Sequence, residues 1–254
     1  MAQLGAEAQQ GGLKAYTNRL VKSEAIQRIL AFAALLLLVI FFSLSSPNFL
    51  RPQNIEGILL STAVNGILAV GVTFVIITGG IDLSIGTVMT LAAVITAKLV
   101  TDFGLPIYIG VLGGLLTGGL AGYINGIVIS RMRVPPFVAT LGMLYVAKGL
   151  SLIISELAPI YFERGSGFSD LATGVIVQIP DVFKIPNAVL IMFGAALVGS
   201  FILMRTVLGR YTFALGSNEE ATRISGVDTA RWKTWVYALA GIFSGLAGIV
   251  IAAR

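Results

Sequence analysis

The reactive side chains that serve most enzymes are scarce here: the 254-residue sequence contains no histidine and no cysteine. Imidazole acid–base catalysis, thiolate nucleophiles, disulfides and cysteine metal sites are therefore excluded. The phosphate-binding pattern G-x-x-x-x-G-K-[ST] is absent, and no lysine directly follows a glycine. The polar residues that remain gather in a few segments. Residues 208–233, LGRYTFALGSNEEATRISGVDTARWK, hold the densest group. Ser217 and Glu220 have the S-x-x-E spacing of a capping box, in which each side chain satisfies an amide at a helix start. Glu219 and Glu220 suit the positive N-terminus of that helix, and Arg223 suits its last turn. Gly226 provides a left-handed stop, and Asp228 can cap the helix that follows. The spacing predicts a helix of about two turns between two longer elements.

A second group lies at 78–86, TGGIDLSIG, where two glycines interrupt an apolar run and Asp82 or Ser84 can cap the next helix. This is either a turn between two helices or, if Asp82 faces a cavity at membrane depth, a functional carboxylate. A third is 124–140, INGIVISRMRVPPFVAT, in which Arg131 and Arg133 anchor a turn and Pro135 and Pro136 fit a helix start. Asn125, with Tyr123 beside it, and Asn65 are placed to bond between helices. Gly114, Gly118 and Gly122 have the G-x-x-x-G spacing of close helix contact.

The elements that carry these groups are membrane spans. Hydrophobic residues make up 56% of the chain and charged residues 11%, against roughly 45–50% and 25% in soluble domains. A hydrocarbon core about 30 Å thick needs roughly 20 apolar residues per helix, and about seven such stretches are present. They cover approximately 29–44, 57–78, 85–101, 107–130, 134–154, 187–204 and 234–253. The first lacks a small-residue cleavage site and reads as a retained anchor. Residues 1–28 form a polar tail, and 155–186, with Glu156, Glu163, Asp170 and Asp181, form an extramembrane loop that includes a valine- and isoleucine-rich piece at 175–179. The expected fold is all-α, a polytopic bundle with a tail at 1–28 and a membrane domain at 29–254.

The positive charge, +5 overall, sits at the ends of spans, so topology accounts for it and no nucleic-acid partner is implied. With the tail inside, Lys14, Arg19, Lys22, Arg28, Arg131, Arg133, Arg205, Arg210, Arg223, Arg231 and Lys233 fall on cytoplasmic segments. Outside loops hold only Arg51, Lys98, Arg164 and Lys184. This bias satisfies the positive-inside rule with a cytoplasmic N-terminus.

Three stretches carry a family resemblance: GVTFVIITGGIDLSIG at 71–86, YINGIVISRMRVPPFVATLGMLYVAKGL at 123–150, and LGRYTFALGSNEEATRISGVDTARWKTWVYALAG at 208–241. The chain resembles the permease subunit of binding-protein-dependent ATP-binding-cassette (ABC) sugar importers, the ribose/xylose/arabinose/galactoside permease group. The resemblance implies a multi-pass subunit of the bacterial inner membrane and a second permease copy. It also implies a cytoplasmic ABC ATPase that binds the ATP and an extracytoplasmic sugar-binding protein. It implies no catalytic residue, metal or cofactor of the subunit's own. Ser217, Asn218, Glu219, Glu220, Ala221, Arg223 and Gly226 become the ATPase-coupling loop. Asn65, Asp82, Ser84, Asn125 and Phe137 become candidates for a translocation pathway. The family extends by about three further spans beyond the position of Arg254, so truncation is expected. Two other classes compete. An ion-coupled secondary transporter needs intramembrane acids, and Asp82 is the one candidate. A membrane-embedded enzyme would rest on isolated carboxylates at span edges.

Overall fold

The computed structural model describes residues 24–162, 167–179 and 183–254. Most of the expected tail, with Lys14, Arg19 and Lys22, lies outside the described residues, as do Glu163, Arg164 and Asp181. Among the described residues are ten helices and one β-hairpin, so the all-α, polytopic reading holds.

The chain divides into two units, at Ile55 and Glu56. In the first, α1 (Glu24–Ser45) is an apolar helix whose Phe42 ring stacks at 5.7 Å on Phe49 of the short turn that follows. In the second unit the helices are α2 (Pro52–Ile77, whose first turn belongs to the first unit), α3 (Ile85–Thr101), α4 (Ile107–Ser130) and α5 (Pro136–Ile154). Then come α6 (Asp170–Thr173), the antiparallel pair β1 (Val175–Ile179) and β2 (Phe183–Pro186), and α7 (Asn187–Arg205). Last are α8 (Val207–Ser217), α9 (Glu219–Ile224) and α10 (Thr229–Ala252).

Five of these, α2, α4, α5, α7 and α10, are long and apolar enough to cross a membrane. The apolar stretches Ile29–Ser45 and Ile85–Thr101 are shorter. At 1.5 Å per residue, the 17 residues of α3 rise only about 25 Å. Four expected span starts move, the first from 29 to Glu24 and the second from 57 to Pro52. The fifth span begins at Pro136 rather than 134, because Pro135 is extended (φ −54°, ψ 135°) and a residue before proline is kept out of the helical region. The last begins at Thr229, more than a turn before 234, because Asp228 caps it.

Helix α10 lies at the centre of the second unit. Its partner α4 presents Gly118, Gly122 and Gly126 where any Cβ would strike the backbone of α10 at Gly241, Tyr237 and Thr234. Gly241 and Gly245 return the contact, and Gly248 lies against the Met89 carbonyl of α3. Small residues let the backbones approach, and where lipid tails are as apolar as the side chains, van der Waals contact of this kind drives helix association. The expected glycine spacings thus mark a real interface, repeated every four residues along one face of α4. Helix α2 adds Phe74, stacked at 6.4 Å on Phe243 of α10.

Candidate functional site

Two polar constructions stand on this frame. The first is the exposed connection from α7 to α10. Thr206 starts α8, its hydroxyl accepting from the Gly209 amide at 3.4 Å. Helix α8 runs through Ser217, and the chain then turns sharply at Asn218 (φ −160°, ψ 102°). The expected capping box is off by one residue. Asn218, not Ser217, caps α9, its Oδ1 accepting from the Ala221 amide at 2.9 Å. With Asn218 as the cap, Glu220 is the second residue of α9 and not the third, so it stands out of place for the reciprocal bond of a capping box. Asparagine caps as well as serine, so the sharp turn, not the S-x-x-E spacing, selects the cap. Glu220 instead pairs with Arg223 at 2.6 Å. That hydrogen bond, with the guanidinium charge behind it, holds the Glu220 carboxyl below the ordinary carboxylate range.

Glu219 reaches in the other direction. Both of its oxygens accept from Lys233 Nζ at 2.7 Å, which ties α9 to α10. Gly226 (φ +86°) ends α9 as expected. Its amide donates to Arg223 O and that of Val227 to Thr222 O, the paired bonds of a Schellman stop. Asp228 Oδ1 accepts from the Arg231 amide at 2.9 Å and starts α10. Of α9 itself only Thr222 is buried; its hydroxyl lies 3.1 Å from the Ala214 carbonyl of α8 and 2.8 Å from that of Asn218. Glu219, Glu220, Ala221, Arg223 and Gly226 are exposed, and so is the large apolar side chain of Ile224, at 77%. The helix is held by the buried Thr222 and the Glu219–Lys233 pair, and its other side chains are exposed. Beside it runs a groove of about 880 Å³, closed on the far side by the α4–α5 turn with Arg133, Pro135 and Pro136. Arg133 sits in the left-handed region (φ 58°), uncommon for a residue other than glycine.

The second construction is buried. Helix α2 ends in the turn 78–80, with Gly79 at φ +74°. Asp82 follows, 9% exposed, and its Oδ1 accepts from both the amide (2.8 Å) and the hydroxyl (2.6 Å) of Ser84. Asn125 of α4 donates to the Ser84 hydroxyl at 3.0 Å. The expectation that Asp82 or Ser84 caps α3 is corrected. Ser84 occupies the cap position, but its hydroxyl is committed to Asp82 and no side chain caps that helix. Tyr237 of α10, fully buried, donates to the Ile81 carbonyl at 3.3 Å.

Asp82, Ser84 and Asn125 therefore form one chain of bonds joining the turn to α4. Asn65 and Phe137 are exposed and have no hydrogen bond to this group. The sequence reading missed Lys233, Ile224 and Tyr237. A tyrosine inside an apolar helix was the available signal for the last, since a buried hydroxyl needs a partner.

Comparison with known proteins identifies the frame. The family described as branched-chain amino acid transport system, permease component, matches residues 54–254. The ribose import permease protein of Haemophilus influenzae is 37% identical over 88% of this chain and 68% of its own length. That of Bacillus subtilis is 35% identical over 90% of this chain and 69% of its own. An L-arabinose ABC transporter permease protein of Azospirillum brasilense is 35% identical over 85% of this chain and 62% of its own. No solved structure matches. The apolar helices, the family match and these relatives agree: the chain belongs to the branched-chain amino acid transport system permease family, among relatives that are sugar importer permeases.

Proposed function

We propose that the chain is the membrane-spanning subunit of an ATP-driven importer that carries a monosaccharide, a ribose-like pentose or a hexose, across the bacterial plasma membrane. The observation that carries this reading is α9. It is short, capped at both ends, exposed, and tied to its two neighbours by Thr222 and by the Glu219–Lys233 pair. A rigid exposed helix of this kind is a handle, and a floppy loop would dissipate the displacement it received. A cytoplasmic ABC ATPase grips α9 beside the groove at Arg133 and Arg223, with Ile224 as the apolar contact. ATP binding closes the ATPase pair and moves the handles on two permease copies. The spans tilt, and the pathway opens to the other side. The sugar arrives on an extracytoplasmic binding protein, which sets most of the specificity. The N-terminus is inside, and the subunit itself makes and breaks no bonds.

The test is uptake of labelled ribose and arabinose in cells whose internal ATP is held constant while a protonophore collapses the proton gradient. Uptake continues if ATP drives it. Loss of uptake at constant ATP would instead support the ion-coupled reading, with Asp82 as its candidate carboxylate.

A further inference from the structure

Both neighbours of α9 end on the same short piece of chain. On one side, Gly216 in the last turn of α8 packs so closely on the Ile77 carbonyl that a Cβ there would overlap it. On the other, Lys233 of α10 holds Glu219. One helical turn further along the same face, Tyr237 donates to the Ile81 carbonyl and occupies the space that a side chain on Gly80 would need. Residues 77–81 are thus held by α8 at one end and α10 at the other. The two helices are also braced against each other, with the rings of Tyr211 and Trp232 at 4.7 Å. Immediately after the held piece come Asp82 and Ser84, bonded on to Asn125.

We infer that Tyr237 is a positioning residue, and that the Lys233–Tyr237 face of α10 transmits displacement of α9 to the turn 78–82, which ends in the buried Asp82. Residues four apart on a helix lie on one face about 6 Å apart, so the link from the Glu219 carboxylate to the Ile81 carbonyl spans a single turn of a buried helix. A rigid helix moves as a body. A pull on Glu219 therefore arrives at Ile81 as a shift of the Tyr237 hydroxyl. Gly79, with its positive φ, allows the turn to change shape without straining a side chain. The inference relies on the coupling role of α9 only for what does the pulling; the link itself belongs to this chain alone.

Because the sequence has no cysteine, a single introduced thiol reports on one place. Ile81→Cys suits this: the side chain is half-exposed, and Tyr237 bonds only the backbone carbonyl. The experiment measures the maleimide labelling rate of Ile81→Cys in the purified full chain in detergent, with and without Glu219→Ala, in the wild-type and Tyr237→Phe backgrounds. Breaking the clamp is expected to change the rate about threefold when Tyr237 is present and by well under twofold in Tyr237→Phe, the non-additivity of coupled sites. Lys233→Arg, which keeps the pair, should leave the rate at its starting value. Tyr237→Met, of similar volume and without a donor, replaces Tyr237→Phe if that variant does not elute as a single species. A rate indifferent to Glu219→Ala, or an equal change in both backgrounds, overturns the inference. No ATPase takes part, so failure here leaves the importer reading standing, and failure of an ATPase to bind α9 leaves this link standing.

Discussion

The exposed α9 and the 78–84 turn, with its buried Asp82 and Ser84, are built from similar residues to opposite ends. Each has acidic and small polar side chains flanked by glycine. Around α9 the carboxylates meet cations, Glu219 with Lys233 and Glu220 with Arg223, and water screens what is left. In the turn the single carboxylate has hydroxyl and amide partners from Ser84 and a protein wall. Exposed ion pairs contribute little, typically under about 1 kcal/mol, whereas an orphaned buried group costs about 1–3 kcal/mol. The comparison therefore separates roles. The turn is where polar chemistry holds the bundle together. On α9 the charges are free to serve a partner, because the fold scarcely depends on them.

Substitutions can break or sharpen that contrast. The largest loss is expected in the glycine interface beneath both regions. Gly122→Val drives a side chain into the Tyr237 carbonyl and should cost about 3 kcal/mol, seen as a large drop in the melting temperature of the purified protein. Asp82→Ala strands both donors of Ser84 and should cost about 2 kcal/mol, while Asp82→Asn keeps an acceptor and should recover most of it. Equal losses in the two Asp82 variants would mean that the negative charge itself matters, contrary to the contrast drawn here. Asn218→Ala removes the α9 cap and should cost about 1 kcal/mol locally, read as faster proteolysis at 218–227. Ser217→Ala should change little, and this pair separates the observed cap from the S-x-x-E spacing.

The smallest effect is a pH dependence. Arg223 lowers the folded-state pKa of Glu220. Its stabilisation is therefore fully present above the ordinary carboxylate range and is lost as pH falls through the lowered value. Protease sensitivity of the α9 connection should rise in that acidic window in the wild type and show no such step in Arg223→Gln.

How far the sequence disclosed this depended on how local the determining physics was. The spans follow from hydropathy alone, and 85–101 and 107–130 fall on α3 and α4 without adjustment. The stop at Gly226 and the cap at Asp228 are set by single residues and were legible. The cap at Ser217 was misplaced because α8 consumes that residue, and its last turn, at Gly216, rests on the distant end of α2, a contact no local pattern encodes. The Glu219–Lys233 pair and the Tyr237–Ile81 bond join residues far apart in sequence, and no short-range pattern encodes them. Asn125 was flagged as bonding between helices, but its partner, Ser84, emerged only when α3 and α4 were brought together.

The central claim is that α9 is the handle through which ATP hydrolysis drives transport. It is tested most directly in proteoliposomes holding the permease with its ATPase and binding protein, by measuring sugar uptake per ATP hydrolysed with the double variant Glu219→Ala, Glu220→Ala. A handle at α9 predicts a correctly inserted permease of near-normal stability, continuing ATP hydrolysis, and an uptake-to-hydrolysis ratio reduced by about tenfold or more, equivalent to at least about 1.4 kcal/mol of lost coupling. A wild-type ratio in that variant would contradict it.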